Sequence, residues 1–207
     1  MSNLINKKRD WVYSAKTLDE LKDRYDSWAN EYETDLKDPY KQFCLDMGRY
    51  FTKFVPNLNS LILDIGCGTG MVGEGLVAHG YSNLVGVDIS ENMLAVAKKK
   101  NIYKNLRSGD IREIDSLYET EYFDAAICVG VFTYGHVKPV YLGNVLNILK
   151  LNSFLGLTVI KELFDSNNEF KTIIDKLPVN LIEKKEVIIS GESWKDIVVY
   201  NLILQKR

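Results

Sequence analysis

An apolar strand that breaks into a glycine-rich loop constrains this chain more than any other feature. Residues 61–65 are apolar except for Asp64, as is typical of a strand buried on both faces of a parallel sheet. An acid inside such a run requires a partner. Gly66, Gly68 and Gly70 follow at alternate positions, and glycine lets a backbone turn with positive φ and approach a ligand closely. A helical pattern comes next, so the stretch predicts a strand, a ligand-binding loop and a helix.

Two classes of ligand are bound by such a loop. Dinucleotides require G-x-G-x-x-G directly after the strand, but the sixth position counted from Gly66 is Met71. A frame that starts at Gly68 restores the motif through Gly73, but places it beyond the end of the strand. An NAD(P)-dependent oxidoreductase is therefore an alternative that leaves Asp64 without a role.

The frame that fits without a shift is D-x-G-x-G-x-G over residues 64–70, and it resembles the first motif of class I S-adenosylmethionine-dependent methyltransferases. The resemblance implies that Asp64 lies near the ammonium group of the cofactor and that the amides of the glycine loop face the rest of the cofactor. Asp88 ends a second apolar strand about 20 residues beyond the loop, where an acid binds ribose hydroxyls in both classes of site. Asp110 follows the third predicted strand, where these methyltransferases hold the adenine amino group; a turn cap is the alternative. The predicted cofactor contacts are Tyr25, Asp64, Gly66, Cys67, Gly68, Gly70, Asp88, Ile89, Met93, Asp110, Ile111 and Val129.

The segment after the fourth predicted strand is expected to face the methyl group, because open α/β sheets bind ligands outside the carboxyl ends of their strands. It lacks the Asn/Asp-Pro-Pro-Tyr motif of enzymes that methylate amide or nucleobase nitrogens, and the carboxylate set of metal-dependent catechol methyltransferases. This segment therefore resembles the corresponding segment of methyltransferases that act on small molecules without a metal. His136 is a candidate general base, and a loop histidine without a catalytic role fits the sequence equally well. The predicted catalytic residues are His136 and Tyr134, and the predicted substrate contacts are Trp28, Tyr32, Phe132 and Tyr134.

Two predicted helices precede the first strand. Residues 1–16 are expected to form a tail, and Thr17 begins a helix through a capping box. The apolar face of that helix is formed by Leu18, Leu21, Tyr25, Trp28 and Tyr32. A second helix is expected to begin at Asp38 and Pro39 and to end at Pro56.

Residues 24–33 resemble the Y-D-x-W-A-x-x-Y-D/E segment that precedes the first motif in many small-molecule methyltransferases, where the helix forms a lid over the cofactor. The chain is similar here to the methyltransferase-like group known from the Williams-Beuren region. It departs from the family at residues 149–153, where Leu-Lys-Leu-Asn-Ser replaces the usual Leu-Lys-Pro-Gly-Gly. A permanent core helix is the competing interpretation of the aromatic stripe.

From residue 61 onward, strands and helices alternate, which predicts a parallel sheet with right-handed crossovers. Strands are expected near 61–65, 84–88, 104–108, 123–129, 153–160, 182–190 and 195–205, and helices near 70–79, 91–101, 138–150 and 166–176. Residues 191–193 form a turn short enough for an antiparallel hairpin between the last two strands. This resembles the α/β, seven-stranded Rossmann-like methyltransferase sheet, mostly parallel with an antiparallel last strand. We expect a single domain over 1–207, with the tail and lid helices at 1–56 and the core at 57–207.

The composition argues against several kinds of partner. The 207 residues carry a net charge of -2, without the basic field of a nucleic-acid-binding protein. No apolar run approaches the roughly 20 residues of a membrane span, and residues 1–9 lack the apolar segment of a signal peptide, so a cytoplasmic protein is expected. Three scattered cysteines suggest neither a disulfide framework nor a zinc site. The sequence leaves the oligomeric state open.

The resemblance implies an S-adenosylmethionine-dependent methyltransferase that transfers a methyl group in line to an O, N or S nucleophile of a small molecule, with S-adenosylhomocysteine as product. Such a reaction depends mainly on orientation, so a base is optional. A cofactor-binding protein without catalysis is the second alternative, beside the oxidoreductase.

Overall fold

A seven-stranded sheet lies at the centre of the structure, a computed structural model that describes residues 2–134, 136–166, 168–191 and 194–207. Its strands are β1 (Ile62–Ile65), β2 (Leu84–Asp88), β3 (Asn105–Ser108), β4 (Phe123–Phe132), β5 (Leu149–Ile160), β6 (Val179–Gly191) and β7 (Trp194–Lys206). The helices are α1 (Ser2–Tyr13), α2 (Leu18–Trp28), α3 (Tyr32–Phe51), α4 (Met71–Val77), α5 (Glu91–Lys99), α6 (Ile114–Leu117), α7 (Leu142–Asn147), α8 (Lys161–Ser166) and α9 (Glu169–Lys176), with 3-10 turns at Ile111–Glu113 and Pro139–Tyr141.

The strand order is β3-β2-β1-β4-β5-β7-β6. Strands β1 to β5 pair in parallel, and among the described strands β7 alone runs against its neighbours β5 and β6. The predicted fold class is therefore confirmed. Because the chain winds outward from β1 to β3 and then returns to β4, the order reverses between β1 and β4, and a ligand crevice is expected at their carboxyl ends.

The strand before the glycine loop is buried on both faces, as its apolar run predicted. Every residue of β1 is buried. Leu63 and Ile65 pack into the layer that contains α7 and α9, whereas Ile62 packs into the layer that contains α3 and α4. The loop that follows β1 therefore starts from a rigid position in the middle of the sheet.

The N-terminal region differs from its prediction in two places. The expected tail is largely helical, because α1 spans Ser2–Tyr13 and buries Val12 against the lid helices. The expected second helix begins at Tyr32 rather than at Asp38, and Pro39 lies inside it. Leu36 extends the buried face of this helix upstream, so burial outweighs the backbone hydrogen bond that a proline removes.

The predicted start of α2 is confirmed. Thr17 Oγ1 accepts a hydrogen bond from the amide of Glu20 at 3.1 Å, a cap worth about 1 kcal/mol. The Glu20 carboxylate reaches back one residue further than a standard capping box, to the amide of Lys16 at 2.8 Å.

Two predicted helices differ in their bounds. The helix expected near 138–150 is shortened to α7, since β5 begins at Leu149, and the helix expected near 166–176 is α9, preceded by the helix α8, which was not predicted. Asn152, which stands where the family usually has glycine, adopts a φ of 64°, a left-handed conformation that asparagine tolerates. It lies at a register shift between β4 and β5. Of the predicted hairpin turn, residues 192 and 193 lie outside the described residues.

Within the described part of the chain, no helix combines the length and apolar character needed to cross a bilayer.

Candidate cofactor and methyl-transfer site

A cavity lies at the carboxyl ends of β1, β2, β3 and β4, and helices α2 and α3 cover it. Nine of the twelve predicted cofactor residues line it: Tyr25, Gly66, Gly68, Asp88, Ile89, Met93, Asp110, Ile111 and Val129. The predicted acceptor-site residues Tyr32 and His136 line it as well. The other lining side chains come mainly from the lid helices and from the ends of the strands: Leu18, Leu21, Tyr40, Ile65, Val87, Arg112, Val131 and Val137.

The glycine loop is held to β2 by backbone hydrogen bonds. The amides of Gly66 and Cys67 both donate to the carbonyl of Val87, at 2.8 and 3.0 Å. Gly66 has a φ of 66°, and a Cβ there would stand 2.3 Å from Cγ2 of Val131. Gly68 has a φ of 52°, and a Cβ there would meet no other atom of the described residues within 4 Å. The loop is thus rigid behind Gly66 and open to a ligand at Gly68.

The carboxylate of Asp88 is fixed at the end of β2 by two backbone amides. Its Oδ2 accepts from Gly68 at 2.8 Å, and its Oδ1 accepts from Ser90 at 2.9 Å. Burial raises the pKa of Asp88 to about 6, against the opposing effect of these hydrogen bonds. A carboxylate has about four acceptor positions, so two are left for the vicinal hydroxyls of a ribose.

The apolar wall next to Asp88 suits an adenine ring. Ile89, Met93, Ile111 and Val129 line the cavity around the ends of β2, β3 and β4. Together with the open backbone at Gly68, the fixed acceptor and this wall fit a nucleoside whose remainder extends along the glycine loop.

Asp110 caps the 3-10 turn at Ile111–Glu113, which is the alternative role predicted for it from the sequence. Its Oδ1 accepts from the amide of Arg112 at 2.8 Å, and its Oδ2 accepts from Nε of the same residue at 2.7 Å. Both residues line the cavity. The contact of Asp110 with an adenine amino group stays a prediction. Arg112 was missed, because no motif marks a basic residue in a short turn.

Asp64 is buried in β1. Its side chain is 1% exposed and lies behind the loop rather than in the cavity, and its Oδ2 accepts from the hydroxyl of Tyr103 at 2.6 Å. Burial raises the pKa of Asp64 to about 7, although the Tyr103 hydrogen bond opposes this. Tyr103 is therefore the partner of Oδ2 in this buried acid, and the contact of Asp64 with the ammonium group of a cofactor stays a prediction.

Two further loop residues also lie behind the cavity wall. Cys67 is buried, with its Sγ 2.9 Å from the position of a Cβ on Gly86. Gly70 has a φ of 91°, and a Cβ there would stand 3.1 Å from the ring of Tyr103. Both therefore support the loop and do not line the cavity among the described residues.

His136 lies at the junction of the core and the lid. Its Nδ1 is hydrogen-bonded to Oγ1 of Thr133, and its Nε2 is 3.4 Å from the hydroxyl of Tyr25. The ring of Tyr13 from α1 packs edge-on against it, with 5.2 Å between the centroids. Burial lowers the pKa of His136 to about 4, so the imidazole is neutral at pH 7. It is placed to accept a proton or a hydrogen bond, but it carries no charge into the cavity.

Three predicted acceptor-site residues lie outside the cavity. Phe132 is fully buried and packs on Phe170 with 5.7 Å between the ring centroids. Trp28 is 4% exposed, and its Nε1 donates to Oδ2 of Asp35 at 2.7 Å. Tyr134 points outward, and its hydroxyl donates to Glu162 at 2.7 Å. The first two are core residues because their helix and strand faces turn inward, a direction that aromatic character alone does not reveal.

The lid contributes more to the cavity than the sequence predicted. Tyr40 of α3 lines it, and its hydroxyl lies 2.4 Å from the position of a Cβ on Gly130, whose φ is 76°. Glycine at this position therefore lets the end of β4 approach the lid. Burial raises the pKa values of Tyr25, Tyr32 and Tyr40, so all three phenols are neutral. The sequence placed Tyr40 in the second predicted helix but did not reveal that it faces a ligand cavity.

Comparison with known proteins points to the same region of the chain. Residues 62–152 match the methyltransferase domain family. The chain is 32% identical over 115 residues to human methyltransferase-like protein 27, a match that covers 55% of this chain and 47% of that protein. It is 36% identical over 84 residues to EEF1A lysine methyltransferase 2 of Danio rerio, with 39% of this chain and 36% of that protein covered. The matched part thus spans about half the length of these relatives, or less.

Solved structures show the same fold at low sequence identity. Magnesium protoporphyrin IX methyltransferase from Synechocystis with bound S-adenosylmethionine aligns with a TM-score of 0.62 at 15% identity, over 98% of this chain and 91% of that chain. A (4+2)-cyclase aligns with a TM-score of 0.62 at 13% identity, over 78% of this chain and 81% of that chain. The fold is therefore that of the Rossmann-like methyltransferases.

Proposed function

We propose that this chain binds S-adenosylmethionine in the cavity between the sheet and the lid, and transfers its methyl group to a nucleophile of a small molecule. The observation that carries the proposal is the carboxylate of Asp88, held by the amides of Gly68 and Ser90 beside an open glycine loop. This arrangement provides a fixed double acceptor for ribose hydroxyls without the phosphate-binding frame of a dinucleotide site.

The cofactor would supply a sulfonium methyl group, whose carbon-sulfur bond breaks as the bond to the acceptor forms. The residues of the chain provide orientation and exclusion of water, which suffice for such a displacement when the reacting atoms are held about 3 to 3.5 Å apart. Tyr25, Tyr32 and Tyr40 lie over the mouth of the cavity and are placed to do this. His136 is neutral, so it can accept a proton from an O–H or N–H acceptor as the methyl group is transferred.

A small-molecule acceptor is supported by the lid. Helices α2 and α3 pass directly over the cavity, so an acceptor must fit between them and the ends of the strands. The names of the relatives differ in this respect, since one is a lysine methyltransferase and one structural neighbour methylates a magnesium porphyrin. The acceptor therefore has to be identified by experiment.

A cofactor-binding protein without methyl transfer is the strongest rival. One neighbour with this fold is described as a cyclase, which shows that the fold does not fix the reaction. An oxidoreductase is less well supported, because the glycine frame that it requires begins two residues later, at Gly68.

The experiment is a transfer assay with methyl-labelled S-adenosylmethionine and a metabolite extract that has been freed of protein. The proposal predicts labelled small-molecule product that increases with enzyme and is absent when Asp88→Ala replaces the wild type. Binding of the donor without any labelled product, in this extract and in a protein extract, would favour the rival without catalysis. Label that appears only in protein would contradict the small-molecule acceptor.

A further inference from the structure

Ser90, the N-cap of α5, contacts both the ribose site and the lid. Its amide donates to Oδ1 of Asp88 at 2.9 Å, and its Oγ donates to Oδ1 of Asp26 at 2.6 Å. The same Oγ accepts from the amide of Met93 at 3.1 Å and so caps α5. Ser90 is fully buried, and both its amide and its hydroxyl are engaged in these contacts.

Asp26 of α2 is held by several hydrogen bonds to the start of α5 and to its own helix. Besides Ser90, its Oδ1 accepts from the amide of Asn92 at 3.1 Å, and its own carbonyl accepts from Nδ2 of Asn92 at 3.0 Å. Its Oδ2 pairs with Lys22 at 2.8 Å. Burial favours the neutral form, but the hydrogen bonds from Lys22, Ser90 and Asn92 hold the pKa of Asp26 below its usual value. The charged carboxylate therefore accepts the orphan amide of Asn92 in the first turn of α5, where a negative charge is also favoured by the helix dipole.

We propose that Asp26 is a positioning residue that fixes the lid helix to the ribose-binding carboxylate through Ser90. The inference rests on the proposed function, since it takes Asp88 as the ribose acceptor. With Asp26 in place, Ser90 is held from both sides and presents its amide to Asp88 in one orientation. Without it, Ser90 loses the partner of its hydroxyl, α2 loses its attachment to the start of α5, and Asp88 loses a fixed neighbour. The lid and the cofactor pocket are thereby coupled by one chain of hydrogen bonds, from Asp26 to Ser90 to Asp88.

Asp26→Ala and Asp26→Asn separate the hydrogen bonds from the charge. The alanine variant removes every side-chain contact, whereas the asparagine variant keeps an oxygen that accepts from Ser90 and Asn92. Asp23 provides the matched control, because it lies on the same helix and its side chain is exposed. The ligands are S-adenosylhomocysteine and its 2′-deoxyribose analogue, titrated by calorimetry into each folded variant.

We expect Asp26→Ala to bind S-adenosylhomocysteine roughly tenfold more weakly, as for the loss of one charge-assisted hydrogen bond. Asp26→Asn should stay within about threefold of the wild type, and Asp23→Ala should match the wild type. The loss in Asp26→Ala should shrink to about twofold for the deoxyribose analogue, because part of the ribose contact is already missing. Amide exchange over residues 18–28 should be faster in Asp26→Ala than in Asp23→Ala, even without ligand.

An equal loss for both ligands would overturn the coupling to Asp88, and affinity within twofold of the wild type in Asp26→Ala would overturn the role of Asp26 altogether. Failure of the proposed function has a different signature, namely a wild-type chain that binds neither the methyl donor nor its product. In that case the exchange rates of the two unliganded variants still report whether Asp26 fixes the lid.

Discussion

The glycine loop and the lid enclose the same cavity but are held by different kinds of contact. The loop is tied to β2 through main-chain amides, and it follows a strand in which every residue is buried. The lid is attached through side chains: Asp26 binds Ser90 and Glu33 binds Lys100 at 2.6 Å at the two ends of α5, and Leu21, Trp28 and Leu36 pack into the apolar core. A site formed by backbone keeps its shape when side chains change, whereas the position of a lid held by side chains depends on the individual residues that make the contacts. We therefore expect the core to fix the cofactor-binding loop, and the lid to set access, acceptor choice and part of the affinity for the cofactor.

The largest effect on the free energy of unfolding is expected for one of two aromatic residues of α2, Trp28 and Tyr25. Trp28→Ala is expected to lower the free energy of unfolding by about 3 to 5 kcal/mol, because the indole is buried and hydrogen-bonded. Tyr25→Ala is expected to cost less than about 1 kcal/mol in the ligand-free protein, because the ring faces the cavity, but to weaken binding of the methyl donor. Urea unfolding and calorimetry measure the two quantities.

Equal destabilisation by the two substitutions would mean that α2 is a permanent core helix. The lid interpretation also predicts that amide exchange across residues 10–33 slows when the methyl donor is added. Exchange that is already slow without the donor, and does not change with it, would contradict a ligand-dependent lid.

Two glycines of the loop test the rigidity of the core. Gly66→Ala should cost about 3 kcal/mol of unfolding free energy, since it adds a left-handed penalty to a clash with Val131. Gly68→Ala should cost only about 1 kcal/mol, because its Cβ enters open space, but that Cβ should obstruct the cofactor. If both variants unfold at the same urea concentration, the two positions do not differ as the structure describes.

Asp88→Ala should weaken binding of S-adenosylhomocysteine by roughly 2 to 3 kcal/mol, because it removes a charged acceptor from a partly desolvated site. The fold should survive, as judged by circular dichroism. Asp23→Ala, which removes an exposed acid, serves as the control. A loss of affinity below threefold would show that Asp88 is not the ribose residue.

The smallest effect concerns pH. The pKa of Asp88 is raised to about 6, so below that value the carboxyl is protonated and loses acceptor capacity. Affinity for S-adenosylhomocysteine should therefore rise by about tenfold between pH 5, which is one unit below the pKa, and pH 7. Asp88→Asn carries no titrating group at this position, so its affinity should be nearly flat over the same range. A parallel dependence in both proteins would assign the titration to another group.

Sequence reasoning succeeded where backbone geometry decides the structure. The alternation of strands and helices, the loop at Gly66 and Gly68, and the acid at the end of β2 follow from local patterns, and the structure places Gly66, Gly68 and Asp88 on the cavity. It could not reveal the contacts that tertiary packing decides. Asp64 is paired with Tyr103, a residue outside any strand or helix, and Phe132 turns into the core. No local pattern contains those pairings.

The lid was also predicted only in part from the sequence. The resemblance of residues 24–33 predicted a helix over the cofactor, and α2 does lie over the cavity. The contribution of Tyr40 depends on the close approach of Gly130, and the helix α1 depends on burial of Val12 by elements distant in sequence. Such contacts become visible only when the elements are assembled.

The central claim is that the cavity accepts S-adenosylmethionine rather than a dinucleotide, and calorimetric titration of the wild-type chain tests it most directly. We predict saturable binding of S-adenosylmethionine and S-adenosylhomocysteine, and no binding of NAD or NADP in either redox state. Tight binding of a dinucleotide, with no response to either form of the methyl donor, would contradict the account.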